Sequence, residues 1–218
     1  MNKYLLILFL AVLCSCREDH ALREETLTIA GENRDWITRD TYGTGFIMTD
    51  NNNITQGFMM QKNSTDFSPS ETYIFGIRTR ITKTESFTQS WYSNFGQSIM
   101  LILTAGFEPF GDRFSLSVNE LNFMYDFKLN TIGHIYFNSV YKSKTMTDTG
   151  YEEVEAIYST VQILDSLTVN GVRYDGVLHF SFEDFKDFWT DFTIKEVYLA
   201  KQYGLIKYSL NNGITYER

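Results

Sequence analysis

The chain predicts a single, mostly β domain: one antiparallel, strongly curved sheet forming a half-barrel or open barrel, with one short helix near 182–190. Aromatic content points that way, with 18 Phe and 14 Tyr in 218 residues. So does their spacing, since aromatic and β-branched residues recur with the period of two that belongs to a half-buried strand. Residues that tolerate positive φ punctuate these stretches. Only two prolines occur, Pro69 and Pro109, and no repeat or low-complexity linker divides the chain. A sheet of about ten or more strands curls, and closure or a covering helix removes its exposed edges.

Taken in order, residues 42–48 and 54–61 read as strands joined through Asp50-Asn51-Asn52-Asn53. From Tyr73 to Ile81 one strand is expected, with Tyr73, Phe75, Ile77 and Ile81 on one face and Arg78 and Arg80 on the other. A strand at 86–93 follows. The apolar run Ile99 to Leu103 is short enough for a strand covered on both faces, and 113–118 continues the meander. Leu121, Phe123, Tyr125, Phe127 and Leu129 alternate with Asn122, Asp126, Lys128 and Asn130, predicting a further half-buried strand. Strands are also expected at 132–141 and 153–164. Asn170-Gly171 marks a two-residue hairpin, after which Leu178, Phe180 and Phe182 share a face.

The helix rests on Phe182, Phe185, Phe188, Trp189 and Phe192, whose spacing is helical, with Asp184, Asp187 and Asp191 on another face. Those acids read as a solvated face. As a calcium loop they lack the glycine and the spaced oxygen ligands. The segment from Val197 to Tyr208 reads as a strand, a turn marked by Gly204 and a further strand that closes on Asn211-Asn212-Gly213.

The N-terminus supplies an address. Lys3 begins a positive segment, Leu5 to Leu13 is apolar but too short to span a bilayer, and Leu13-Cys14-Ser15-Cys16 follows. This arrangement resembles the lipobox of bacterial lipoproteins, although Cys14 stands where Ala, Ser or Thr is commoner. The resemblance implies cleavage before Cys16 and a diacylglyceryl group on its thiol, whose acyl chains would anchor the protein stably. Residues 1–15 are then a signal peptide, 16–25 a lipidated tether and 26–218 the β domain. Cys14 and Cys16 are the only cysteines, so the mature chain forms no internal disulfide. Glu18 and Asp19, just past the lipid site, are similar to the surface-export signal of Bacteroidetes-type lipoproteins. The expected location is the outer membrane of the cell envelope, with exposure at the surface if those acids are read.

Charge narrows the partners. The formal net charge is −8 and becomes −9 once Lys3 is removed with the signal peptide. Such a surface repels phosphate backbones, so nucleic acid is not an expected partner. The three histidines, His20, His134 and His179, fall at no metal-ligand spacing, and neither a metal nor a cofactor is expected. No Ser sits in a Gly-x-Ser-x-Gly elbow, and Gly43-Thr44-Gly45 lacks the lysine and helix of a phosphate loop. No catalytic residue is assigned.

The C-terminal segment carries a further likeness. Asn170-Gly171 with Tyr174 and Val177, then Tyr198-Leu199-Ala200-Lys201 with Gly204, Ile206 and Lys207, resembles the final strands of uncharacterised Bacteroidetes-type lipoproteins. The likeness covers about the last quarter of the chain and implies architecture and address, without an activity. Gln202 replaces the first glycine of that run, which predicts a less tight turn. Tyr198, Lys201 and Lys207 are candidate ligand contacts, each more simply read as hairpin residues. The expectation is a non-enzymatic, lipid-anchored envelope protein with a ligand- or partner-binding domain, attached to the membrane by its lipid and open to a lipid, glycan or protein partner. The alternatives are an acyl-chain carrier with a half-barrel cavity, and an envelope glycan-binding protein or hydrolase.

Overall fold

The computed structural model describes residues 23–41, 43–74, 77–118, 121–137, 159–182 and 194–218. Its strands are β1 (Arg23–Leu27), β2 (Gly45–Asp50), β3 (Thr55–Ile74), β4 (Ile77–Ser93), β5 (Ser98–Thr104), β6 (Arg113–Val118) and β7 (Leu121–Asp126). They continue with β8 (Thr131–Phe137), β9 (Ser159–Val169), β10 (Val172–Phe182), β11 (Ile194–Ala200), β12 (Gly204–Leu210) and β13 (Thr215–Glu217). One 3₁₀ turn, η1, spans Asn33–Trp36.

All thirteen strands belong to one sheet, ordered β8-β7-β6-β5-β4-β3-β2-β13-β12-β11-β10-β9, with β1 beside β4. Two antiparallel meanders are thus joined where β13 pairs with β2, Tyr216 opposite Asp50. The sheet is nearly closed into a barrel, and its unsealed seam lies between β8 and β9. The expected open barrel is the fold. Of the helix expected near 182–190, residues 183–190 lie outside the described residues and Phe182 ends β10.

Alternation fills the interior. Met48, Met60, Trp91, Leu101, Phe114, Leu116, Tyr125, Phe180 and Tyr208 are fully or almost fully buried. Burying one such side chain contributes about 1.5–3 kcal/mol. Where no ladder joins the seam, rings meet across the inside: Phe123 lies 4.7 Å from Phe180 and 5.3 Å from Phe182, centroid to centroid. A smaller cluster of Val169, Tyr174, Val177, Ala200 and Ile206 forms on the other face of β10–β12.

Four expectations need correction. Tyr73–Ile81 is not one strand, because β3 ends at Ile74 and β4 begins at Ile77, with Ile74 opposite Ile77. Gly76 alone marked that turn, and the alternation happened to run through it. The Ile99–Leu103 run is covered on one face only, with Ile99, Leu101 and Leu103 buried and Met100 exposed. Alternation after Tyr125 is not strand, since β7 stops at Asp126, whose carboxylate accepts the N–H of Lys128 at 3.0 Å and of Leu129 at 3.0 Å and curls the chain. Finally, β1 starts at Arg23, so residues 23–25 of the stretch read as tether are paired in parallel with β4.

The hairpins follow their turn chemistry. Asn170 and Gly171 have φ of 47° and 77°, the pair of positive values that a tight two-residue β-hairpin requires. At the β11–β12 turn Gln202 holds φ of 67°, a left-handed conformation that favours glycine. The turn is tight, with the Tyr203 N–H bonded to the Ala200 carbonyl at 3.2 Å.

Candidate functional site

The site is the barrel mouth, and buried polar side chains build it. After β1 the chain crosses the mouth through residues 28–41, a stretch with few ladder partners of its own. Glu85 of β4, 3 % exposed, accepts the Ile29 N–H at 2.9 Å and Arg34 Nη2 at 2.6 Å on each carboxylate oxygen. Four residues further along β4 and on the same face, Gln89 makes a reciprocal pair with Thr38, accepting its N–H at 3.0 Å and donating to its carbonyl at 3.1 Å. Asp112 accepts the Ala30 N–H at 2.7 Å and Asn33 Nδ2 at 2.9 Å. These groups supply the bonds that an irregular segment would otherwise take from water. Trp36, carried by η1, is thereby pressed into the mouth and packs on Phe127 at 6.2 Å.

Facing this segment is the rim loop between β5 and β6. Asp112 accepts the Gly106 N–H at 2.9 Å and Asp126 the Gly111 N–H at 3.1 Å. A Cβ on Gly106 would stand 2.0 Å from Gly111 carbonyl atoms, and one on Gly111 would stand 2.4 Å from Lys128 Cβ, so this loop closes only on glycine. Its tip presents Phe107 and Phe110 edge to face at 5.8 Å, with the Arg113 guanidinium 4.3 Å from the Phe110 ring centre. Phe107 remains 55 % exposed. Burial acts to raise the Asp126 carboxyl, but the N–H groups of Leu129, Gly111 and Lys128, with Arg113, outweigh it and hold it below the ordinary carboxylate value.

Between these walls lies an open cleft of about 940 Å³. Phe107, Phe110 and Phe127 give it apolar surface, and Arg80, Lys128 and Lys201 give it cations. Each cation has an acid beside it. Lys128 Nζ is 2.5 Å from Glu108, Lys201 Nζ 3.9 Å from Asp35, and Arg80 is paired with Glu25. The three buried carboxylates around the mouth, Glu85, Asp112 and Asp126, are each bonded to backbone or side-chain donors of the loops. Deeper in, Tyr125 and Phe180 close the floor at 5.6 Å.

The residues singled out from sequence are dispersed. Cys16, Glu18, Asp19 and His20 precede the described residues, and Asp184, Asp187 and Asp191 also lie outside them. His134 falls in β8. Of the three candidate contacts near the C-terminus, Lys201 reaches the cleft, its Nζ 5.5 Å over the Trp36 ring. Tyr198 and Lys207 are on the opposite face of the sheet from Leu199. There the His179 ring stacks on Tyr198 at 4.2 Å, Ser209 Oγ donates to Glu196 at 3.1 Å, and Lys207 bridges to Glu217 at 2.8 Å. Burial, with Glu196 beside it, pushes Tyr198 up to about 12, and burial lowers His179. Among the described residues no three His, Cys, Asp or Glu side chains gather as a metal site.

Reading by composition passed over Trp36, Glu85, Gln89 and Asp112. Glu85 and Gln89 did leave a signal, because they share the inward parity of Phe87 and Trp91. A carboxylate on the buried side of a strand asks for a partner. Outside β2–β4 a shallower depression of about 610 Å³ lies over Gly45 and Gly57, edged by Ile47, Met59 and Tyr92. The chain matches no protein-family model, no curated protein and no solved structure.

Proposed function

We propose that the chain is a non-enzymatic, lipid-anchored cell-envelope protein whose barrel is a scaffold for a binding cleft at its mouth. The observation that carries this reading is the state of the mouth carboxylates. Glu85, Asp112 and Asp126 each spend their oxygens on loop N–H groups or on an arginine, while the exposed lining is phenylalanine and paired charge. That chemistry suits a ligand with apolar groups beside charges of either sign, held by contact and ion pairing, and the cleft is of the size that takes small ligands. The anchor half of the proposal rests on Leu13 to Cys16. The aromatic packing of Phe123, Tyr125, Phe180 and Phe182 weighs against carriage of an acyl chain inside the barrel.

Two measurements test the two halves. Metabolic labelling with palmitate is expected to mark the wild-type chain and not Cys16→Ala, with the variant released from the membrane fraction; continued membrane association of Cys16→Ala overturns the anchor. Native mass spectrometry of chain purified from its own envelope is expected to show a non-covalent adduct that Phe107→Asp loses. A wild-type chain free of adduct after exposure to envelope glycan and peptide fractions overturns the cleft as a binding site.

A further inference from the structure

The depression on the outward face of β2–β4 shares no lining residue with the mouth cleft. Its floor is a glycine that the fold does not ask for. Ile47 of β2 pairs with Gly57 of β3, and Gly45 pairs with Met59, which lies opposite Tyr92 of β4. At Gly45 a Cβ would stand 1.9 Å from the Phe58 carbonyl oxygen, so the neighbouring backbone excludes a side chain there. At Gly57 a Cβ would meet nothing within 4 Å, and the residue is not among those with positive φ. Glycine inside a strand weakens it and marks a place where something comes close to the backbone. No described part of the chain fills the space over Gly57, which leaves it to a molecule from outside.

The rim says what kind of molecule. No charged side chain lines the depression, in a chain of formal net charge −8. The Tyr92 ring is 54 % exposed, and Ile47 and Met59 are exposed beside it. Polar groups stand among these apolar ones. Asn94 accepts the Gly57 N–H on Oδ1 at 3.3 Å and donates its own N–H to the Gly57 carbonyl at 3.3 Å, which holds it against the floor with Nδ2 unused. The Gln61 amide and the Tyr92 hydroxyl have no hydrogen-bond partner among the described residues. Gln61 falls where the β3–β4 register slips, between the pairs Met60–Trp91 and Lys62–Ser90, and a bulge of this kind re-aims a side chain.

These features discriminate between occupants. An ionic ligand would find no counter-charge here, and an acyl chain would cover the amides without bonding them. A specific protein interface takes about 20–30 residues a side, against the ten that line this depression. A neutral sugar ring matches every group present: its C–H face packs on an aromatic ring, and its hydroxyls both donate to and accept from amides and a phenol. We propose that the depression over Gly57 is a binding site for a neutral saccharide, with one pyranose ring on the glycine floor against Tyr92 and its hydroxyls bonded to Gln61 and Asn94. The site is separate from the mouth cleft and independent of the lipid anchor.

The test uses the full chain in a deuterated detergent without a sugar headgroup. Cellotriose, maltotriose, mannotriose and chitotriose are each titrated in, and magnetisation transfer from protein to sugar C–H protons is followed. At least one of these probes is expected to bind. Gly57→Leu, whose side chain enters open space, should have a urea midpoint no lower than the wild type. It should weaken the bound sugar about tenfold or more, because the ring loses its floor and its stacking. Tyr92→Phe should weaken it about two- to tenfold, the share of one hydrogen bond, and Tyr92→Ala by more. Phe107→Asp, a change at the mouth, should leave it unaltered. Absence of transfer to all the probes at millimolar concentration overturns the proposal, as does unchanged affinity in Gly57→Leu. Loss in Phe107→Asp with retention in Gly57→Leu assigns the sugar to the mouth, overturning the outer site while the cleft reading stands. A wild-type chain that sediments as a dimer, beside a monomeric Gly57→Leu, assigns the depression to a second copy of the protein and also overturns it.

Discussion

Gly204→Ala should be among the most damaging single-methyl additions in this protein, and its damage should be curable at a distant position. Gly204 has φ of +70°, and a Cβ there would lie 2.4 Å from Thr38 Cγ2. The left-handed conformation costs a non-glycine residue about 1–2 kcal/mol. The clash is more than 1 Å inside the ~3.5–4.0 Å of ordinary carbon contact, and overpacking of this kind costs about 1–3 kcal/mol. Thr38 cannot step back cheaply, because its N–H and carbonyl are both bonded to Gln89. Alanine's smaller unfolded-state entropy returns about 0.5 kcal/mol, so the expected loss is about 2–4 kcal/mol. Thr38→Ser removes Cγ2 while keeping the hydroxyl that accepts the Asp40 N–H. In that background Gly204→Ala should cost only the conformational part, about 1 kcal/mol. Urea unfolding followed by tryptophan fluorescence across the four proteins gives the coupling energy directly. Additivity within about 0.3 kcal/mol would refute the contact.

Other substitutions probe the mouth and its turns. Gln202→Val should lower stability by about 1–2 kcal/mol while Gln202→Gly does not lower it, since a β-branched residue tolerates φ of 67° least; the opposite order in urea midpoints would count against the turn assignment. Glu85→Gln should cost about 1.5–3 kcal/mol, because an amide cannot accept from Ile29 and from Arg34 on both atoms as the carboxylate does, and exchange of the Ile29 amide should speed up with it. Asp126 is held below its ordinary value in the folded state, so its contribution is fully present above the unfolded carboxylate range and is lost as pH falls through the folded value. Protection of the Gly111, Lys128 and Leu129 amides, taken relative to the intrinsic exchange rate at each pH, should therefore fall on acidification in the wild type and stay independent of pH in Asp126→Asn.

Local chemistry made much of this fold readable. Alternation locates the strand at 113–118, a short apolar run the one at 99–103, and Asn170-Gly171 its hairpin, because period, run length and turn preference depend only on neighbours in sequence. The hairpin after Ile74 was missed because a lone Gly76 sits in a stretch whose alternation continues unbroken through it. The parallel pairing of β1 with β4 carries no signature in either segment, as both are mostly polar and at most half-buried. Nor could sequence show that Asp112 and Asp126 face loop amides, since an acid beside a glycine reads as an ordinary turn. Of the candidate ligand contacts that the sequence offers, Lys201 alone lines the cleft, and it is offered by its place in a hairpin turn, with nothing that points to Trp36.

The order of strands also sets an order of events. Apart from β1–β4 and β2–β13, each pair in the sheet joins strands consecutive in the chain, so each meander can assemble from hairpins whose closure entropy is small. The joint between them, Tyr216 to Asp50, must wait for the last strand. The open seam falls between β8 and β9, which are consecutive, so a break in the connection from 138 to 158 severs no described backbone ladder. Two fragments divided there should find one another and rebuild the barrel through β13 and the interior rings. The same break is the natural place to open a circular permutant.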